Sequence, residues 1–169
     1  RGGDFKFAFA SLPYFLQSMS VEAYQSHLWN ETALSMVKSL PTSGAGLLMT
    51  EGLFGQHAFV GAADVPPEWM TLEMPVLARG SVLAPPWGDA AQAVLDAEGI
   101  RVKDLNIPGL RRPFFGEAKR KLVMEAEGFT MSEESADEFS GTRNRLKRSV
   151  AFSLGRGGYA TIVMRALGQ

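Results

Sequence analysis

Cysteine is absent from this sequence, and histidine is nearly so, with His27 and His57 the only two. A disulfide framework, a thiolate nucleophile and any zinc or iron–sulfur site built on cysteine are thereby excluded, and two histidines are too few for most histidine-based metal cages. Long apolar runs are lacking as well. Pro66, Pro67, Glu73, Pro75, Arg79, Pro85 and Pro86 interrupt every stretch that approaches the roughly 18 residues a membrane helix needs, and no signal-peptide pattern opens the chain. A soluble, cytoplasmic protein with no membrane partner is expected. What is present is ordinary for a globular domain: 169 residues, 46% hydrophobic and 21% charged. The chain opens at Arg1 with no Met, so a piece of a longer protein is expected.

The net charge of −1 hides an asymmetry. Residues 1–100 carry 4 Lys and Arg against 10 Asp and Glu, whereas residues 101–169 carry 13 against 8. A basic second part is what a polyanion-binding surface needs, because lysine and arginine release counterions from phosphates. An unevenly charged solvated surface has the same composition, and charge alone leaves both readings open.

Residues 13–40 form the clearest helical stretch, with Phe15, Leu16, Met19, Ala23, Tyr24, Leu28, Trp29, Ala33, Leu34 and Val37 near 3.6-residue spacing and Pro41, Ser43 and Gly44 as the stop. Residues 45–88 are rich in glycine and proline and read as short strands at 46–49, 57–60 and 71–77 joined by turns. Asp89 caps a short helix over 90–98 that Gly99 ends. Residues 122–124 read as a strand, and the acidic, serine-rich residues 132–140 as a solvated loop or short exposed helix. Val150, Phe152 and Leu154 alternate as in a strand with one buried face. Gly155, Gly157 and Gly158 break that strand, and Ala160, Val163, Met164 and Leu167 then make a helical stripe. The fold class expected is α+β, mixing helices with short strands.

No self-contained catalytic set emerges. No G-x-S-x-G elbow is present, His27 sits inside a helical pattern, and His57 reads as a loop or strand residue. The Gly155-Arg156-Gly157-Gly158 turn suits either an anion cradle or a tight turn needing glycine for its backbone, and it lacks the spacing of a P-loop or dinucleotide fingerprint. Candidate RNA-binding side chains fall in two groups. Arg111, Arg112, Lys119, Arg120 and Lys121 flank Phe114 and Phe115, and Arg143, Arg145, Lys147 and Arg148 precede the alternating strand.

Three segments, in order, resemble the tRNA pseudouridine synthase D (TruD) family. Residues 23–30, AYQSHLWN, are similar to that family's AYQS-x-L-[FW]-N helix. Residues 110–124, LRRPFFGEAKRKLVM, resemble its R-x-x-x-F-x-x-x-x-R-x-L-x-V passage. Residues 152–167, FSLGRGGYATIVMRAL, resemble its closing F-x-L-x-x-G-S-[YF]-A-T-x-x-L-R-E-L, with Gly158 where serine is usual and Ala166 where glutamate is usual. The resemblance implies a pseudouridine-synthase-type fold, with residues 1–132 as the TruD insertion domain and residues 133–169 as the strand and helix that return to the catalytic core.

It also implies isomerisation of a specific uridine in tRNA to pseudouridine, with neither metal nor organic cofactor. In that chemistry an aspartate acts on a flipped-out nucleotide beside an aromatic ring. The family's G-x-K-D-R-x-A-x-T-x-Q segment, which holds the aspartate, is not found here, and Lys103-Asp104 lacks its context. No catalytic residue is therefore expected within this chain, which alone should be inactive and should rely on an upstream catalytic segment of the same protein. By the resemblance Tyr159 is the base-stacking or pocket-lining aromatic. From the residues alone the better reading is a ring that packs the turn against the core. Two other classes stay open: a non-catalytic RNA-binding module, and an unrelated small α+β enzyme or scaffold.

Overall fold

The computed structural model describes residues 4–41, 47–52, 55–141 and 144–168. It is an α+β arrangement that divides into two compact units, Arg1–Leu122 and Val123–Gln169. Among the described residues no helix is long and apolar enough to cross a membrane.

The first unit is built on α2 (Tyr14–Lys38), which Pro13 starts by fixing a non-helical entry and lending its carbonyl to the amides of Leu16 and Gln17. A short helix, α1 (Phe5–Ala10), precedes it. Its sequence FKFAFA alternates as a strand would, but Asp4 caps it as a helix by accepting from the Phe7 amide at 2.9 Å. The extent of α2 matches the sequence expectation and its buried face does not. Phe15, Leu16 and Met19 are exposed, and the buried stripe is Gln17, Val21, Gln25, Leu28, Thr32 and Met36. Three of those six are polar, which a search for apolar periodicity passes over. Each is satisfied where it lies: Gln17 donates to the carbonyls of Ala10 and Leu12 and so closes the end of α1. Thr32 donates to the Leu28 carbonyl, and Gln25 donates to the carbonyls of Leu77 and Gly116.

Against α2 pack two antiparallel pairs and a helix. β1 (Leu47–Gly52) pairs with β2 (Gly55–Val60), and β3 (Glu73–Val76) pairs with β4 (Ala118–Lys121) in the register Glu73↔Lys121 to Val76↔Ala118. The segment between β3 and β4 holds α3 (Gly88–Ala97), which buries Ala91 and Leu95 against α2. Gly88 lets α3 begin there, since a Cβ would meet the Leu83 carbonyl carbon at 2.9 Å. Gly99 ends the helix in the left-handed region (φ 68°), with the Ile100 amide reaching back to Leu95. Trp69, Met74, Val76, Leu77, Trp87 and Leu105 complete the core with Val21, Leu28 and Met36. Each such side chain contributes about 1.5–3 kcal/mol by leaving water.

The strand expected at 122–124 lies instead at Ala118–Lys121. Its four residues AKRK carry no hydrophobic alternation and are all exposed. Pairing with the half-buried β3 makes them a strand.

The second unit is a two-stranded antiparallel ribbon followed by a helix. β5 (Glu127–Met131) pairs with β8 (Val150–Ser153), and β6 (Ser135–Ala136) with β7 (Leu146–Lys147). Between the two ladders the Ser132 amide donates to the Ser149 carbonyl and the Ser149 amide to Ser132 Oγ, both at 2.9 Å. The acidic residues 132–140 are thus neither loop alone nor helix, because β6 binds part of them to β7. Phe129 and Phe152 stack at 6.1 Å across β5 and β8, but none of the unit's described residues is fully buried. After a glycine turn the unit ends in α4 (Ala160–Ala166), as the helical stripe predicts.

Candidate nucleic-acid interface

The motif at residues 23–30 works as a docking strip of α2. The Tyr24 hydroxyl donates to Glu98 at 2.8 Å, and His27 Nε2 lies 3.4 Å from the other oxygen of the same carboxylate. Burial, reinforced by that hydrogen bond and by the negative charge of Glu98, pushes the Tyr24 phenol up to about 12. Gln25 fastens both strands of the β3–β4 pair at one end of the ladder, through its two carbonyl partners beside the Val76↔Ala118 pair. Leu28 is fully buried, and the Trp29 indole N–H points to the Met74 carbonyl at 3.4 Å. His27 thus belongs to the packing of α2 on α3 rather than to a catalytic group.

The chain carries Arg111, Arg112, Phe114 and Phe115 from residue 106 to β4. Pro113 is buried and the Gly116 carbonyl is held by Gln25, so both flanks of the phenylalanine pair are anchored. Phe115 turns inward, its ring edge-on to Tyr24 at 6.4 Å, while Phe114 is 65% exposed. Arg111 and Arg112 are exposed beside it. On β4 the period-two alternation splits the basic triplet. Arg120, opposite buried Met74, reaches α2 and donates to Ser26 Oγ at 3.1 Å. Lys119 and Lys121 lie on the other face, opposite Pro75 and Glu73. Lys119 there borders an open groove of about 410 Å³ with Pro75, Ser81, Val82 and Glu117.

The ribbon sorts the second basic group differently. Arg143 lies outside the described residues. The Arg145 side chain is exposed, while its carbonyl accepts from the Asp137 amide at 2.9 Å. Arg148 pairs with Glu134 at 2.6 Å. Lys147 pairs with Glu138 and lies over the Phe139 ring, and its hydrogen bond holds the Glu138 carboxyl below the usual carboxylate range. The charge balance follows the same division. The first unit holds 11 Lys and Arg against 12 Asp and Glu, the second 6 against 6, so the excess of +5 resides in residues 101–121 with 7 against 2.

The glycine turn is closed by its own hydrogen bond, from the Gly158 amide to the Gly155 carbonyl at 3.0 Å, with Gly157 at φ 91°. An amide spent within the turn is not offered to an anion, so the geometry is that of a tight turn. Gly158 is also crowded, since a Cβ would come 3.0 Å from Leu154 Cβ and from Met124 Cε. Tyr159 follows as the residue before α4, its carbonyl accepting from the Ile162 amide and its ring 71% exposed.

Asp104 is engaged locally. Arg101 Nε and its backbone amide both donate to it, at 2.9 and 3.1 Å, and the side-chain bond keeps the carboxyl below its ordinary range. Among the described residues no three His, Asp or Glu side chains gather as a metal site requires.

No protein-family profile matches the chain. Curated proteins do. The tRNA pseudouridine synthase D of Aquifex aeolicus is 34% identical over 173 residues, covering 99% of this chain and 41% of its own length. A protein of Methanopyrus kandleri named probable tRNA pseudouridine synthase D is 29% identical over 164 residues, covering 97% of this chain and 35% of its own. A solved tRNA pseudouridine synthase D structure from Methanosarcina mazei shares the fold with a TM-score of 0.65, at 19% identity, over 98% of this chain and 41% of that one. Along nearly its whole length the chain is similar in sequence to proteins named tRNA pseudouridine synthase D and shares the fold of one of them, as the counterpart of a stretch spanning about two fifths of the relatives' length.

Proposed function

We propose that this chain is part of an enzyme that isomerises a uridine in tRNA to pseudouridine, and that it supplies RNA-holding surface while the catalytic aspartate lies outside these 169 residues. The observation that carries the reading is the coincidence of sequence and fold similarity to tRNA pseudouridine synthase D over 97–99% of the chain. The family's aspartate segment has no counterpart in the sequence, and the one Lys-Asp pair, Lys103-Asp104, spends its carboxylate on Arg101. In this reading β8 and α4 return to the catalytic core, and the exposed ring of Tyr159 lines the nucleotide pocket. Arg111, Arg112, Lys119, Lys121 and Arg145 face phosphate, with Arg120, Lys147, Arg148 and Arg143 as further members of the basic set. A cytoplasmic location accompanies it.

Release of tritium from 5-tritiated uridine in total unmodified tRNA tests the reading. The full-length protein should turn over and the 169-residue chain should not. Tyr159→Ala in the full-length protein should cut turnover roughly 5- to 150-fold with an unchanged melting temperature, the range that one lost base–aromatic stack supplies. Tyr159→Phe should be nearly silent. Turnover by the 169 residues alone would overturn the placement of the aspartate. An inactive full-length protein that still binds tRNA would favour a non-catalytic RNA-binding module.

A further inference from the structure

We infer that Phe114 is a nucleobase-stacking side chain, the centre of a single-stranded RNA contact that Arg111 and Arg112 complete by holding phosphate. This rests on the RNA-directed function proposed above. Exposure of one phenylalanine alone would carry little, because single apolar side chains are common on protein surfaces. Here three observations meet on it. Phe114 and Phe115 are adjacent, yet Phe115 packs against Tyr24 and Phe114 stands 65% exposed. The flanks are fixed by buried Pro113 and by the Gln25 bond to the Gly116 carbonyl, so presenting the ring requires little ordering of the backbone. The chain's basic excess lies in residues 101–121, around this ring, whereas the second unit's acidic residues match its basic ones in number and its Lys147 and Arg148 are paired with carboxylates. A rigid exposed ring between cations is the combination by which proteins hold unpaired bases, the ring taking the π-face and the guanidinium groups the backbone.

The two contributions separate by salt. Stacking is nearly salt-independent, whereas each phosphate contact adds about 0.7 to the slope of log affinity against log salt on a single strand. In the full-length protein, binding of a single-stranded oligouridylate should weaken roughly 5- to 150-fold in Phe114→Ala at every salt concentration, with the slope unchanged. Phe114→Trp should retain wild-type affinity. Arg111→Glu with Arg112→Glu should flatten the slope by about 1 to 2. Affinity of Phe114→Ala equal to wild type would overturn the inference, as would a Phe114→Trp variant that binds as weakly as Phe114→Ala. Pseudouridine formation by the wild-type protein, measured in parallel, keeps the two readings apart: turnover with an indifferent Phe114 sinks this inference alone, and absent turnover sinks the proposed reaction.

Discussion

Gln25 gives the strongest test of how the first unit holds together. Its side chain is 4% exposed and donates at 2.9 Å to the carbonyl of Leu77, just past β3, and at 2.9 Å to that of Gly116, just before β4. In Gln25→Leu the volume is nearly kept and both donors are lost. The Leu77 carbonyl is buried with its residue, so orphaning it costs about 1–3 kcal/mol. Gly116 is half-buried and water can replace part of its bond, which adds about 0.5–1 kcal/mol. Gln25→Ala adds a cavity, and the total becomes about 2–5 kcal/mol. Gln25→Glu should be worse than Gln25→Leu at neutral pH, because a buried carboxylate would face two carbonyl oxygens. Trp29, Trp69 and Trp87 all lie in the first unit, so tryptophan fluorescence during urea unfolding reports on it selectively. The midpoint should fall for all three variants. If Gln25→Leu and Gln25→Ala both unfold within about 0.5 kcal/mol of wild type, the variation expected of an ordinary surface change, the staple across β3 and β4 is refuted.

Two further outcomes follow from the sorting of polar side chains. Lys119→Glu with Lys121→Glu should reduce the salt slope of tRNA binding by the full-length protein by about 1 to 2, and Lys147→Glu with Arg148→Glu should change it less, because those cations already serve Glu138 and Glu134; equal effects in filter-binding titrations would show that the internal pairing does not matter. The raised phenol of Tyr24 makes a pH prediction. Burial of the phenol, with the Glu98 hydrogen bond and charge behind it, binds the proton more tightly in the folded state than in the unfolded chain, so the contribution is fully present below pH 10 and is lost as pH rises through about 12. Tyr24→Phe should abolish this alkaline loss in ultraviolet-monitored titrations, at a cost near neutrality of about 0.5–1 kcal/mol for one exposed hydrogen bond; a late-titrating tyrosinate that persists in the variant would refute the assignment.

The elements legible in the sequence are those whose burial and propensity agree. Pro13 and the stop after residue 40 bound α2, and the alternation at Val150 and Phe152 matches the half-buried face of β8, with Ala151 and Ser153 exposed. Illegible elements are set by a partner distant in sequence. The AKRK of β4 has nothing strand-like but its pairing with β3. The polar Gln17 and Gln25 are core residues only because carbonyls at the ends of other elements wait for their donors, and Thr32 is one because it donates back to the Leu28 carbonyl of its own helix. The candidate site divides in the same way. Composition treats all nine basic candidates alike, because it counts charges and not the carboxylates that meet them. Yet a signal was there: once residues 135 and 147 are opposed in an antiparallel ribbon, Glu134 necessarily faces Arg148. An acidic run that mirrors a basic run across a turn is therefore better read as the two strands of one ribbon than as an acidic loop beside an RNA patch. In residues 101–121 the ion pair among the described residues is the local Arg101–Asp104, so in the function proposed above the remaining cations of that stretch are the ones left to meet a phosphate backbone.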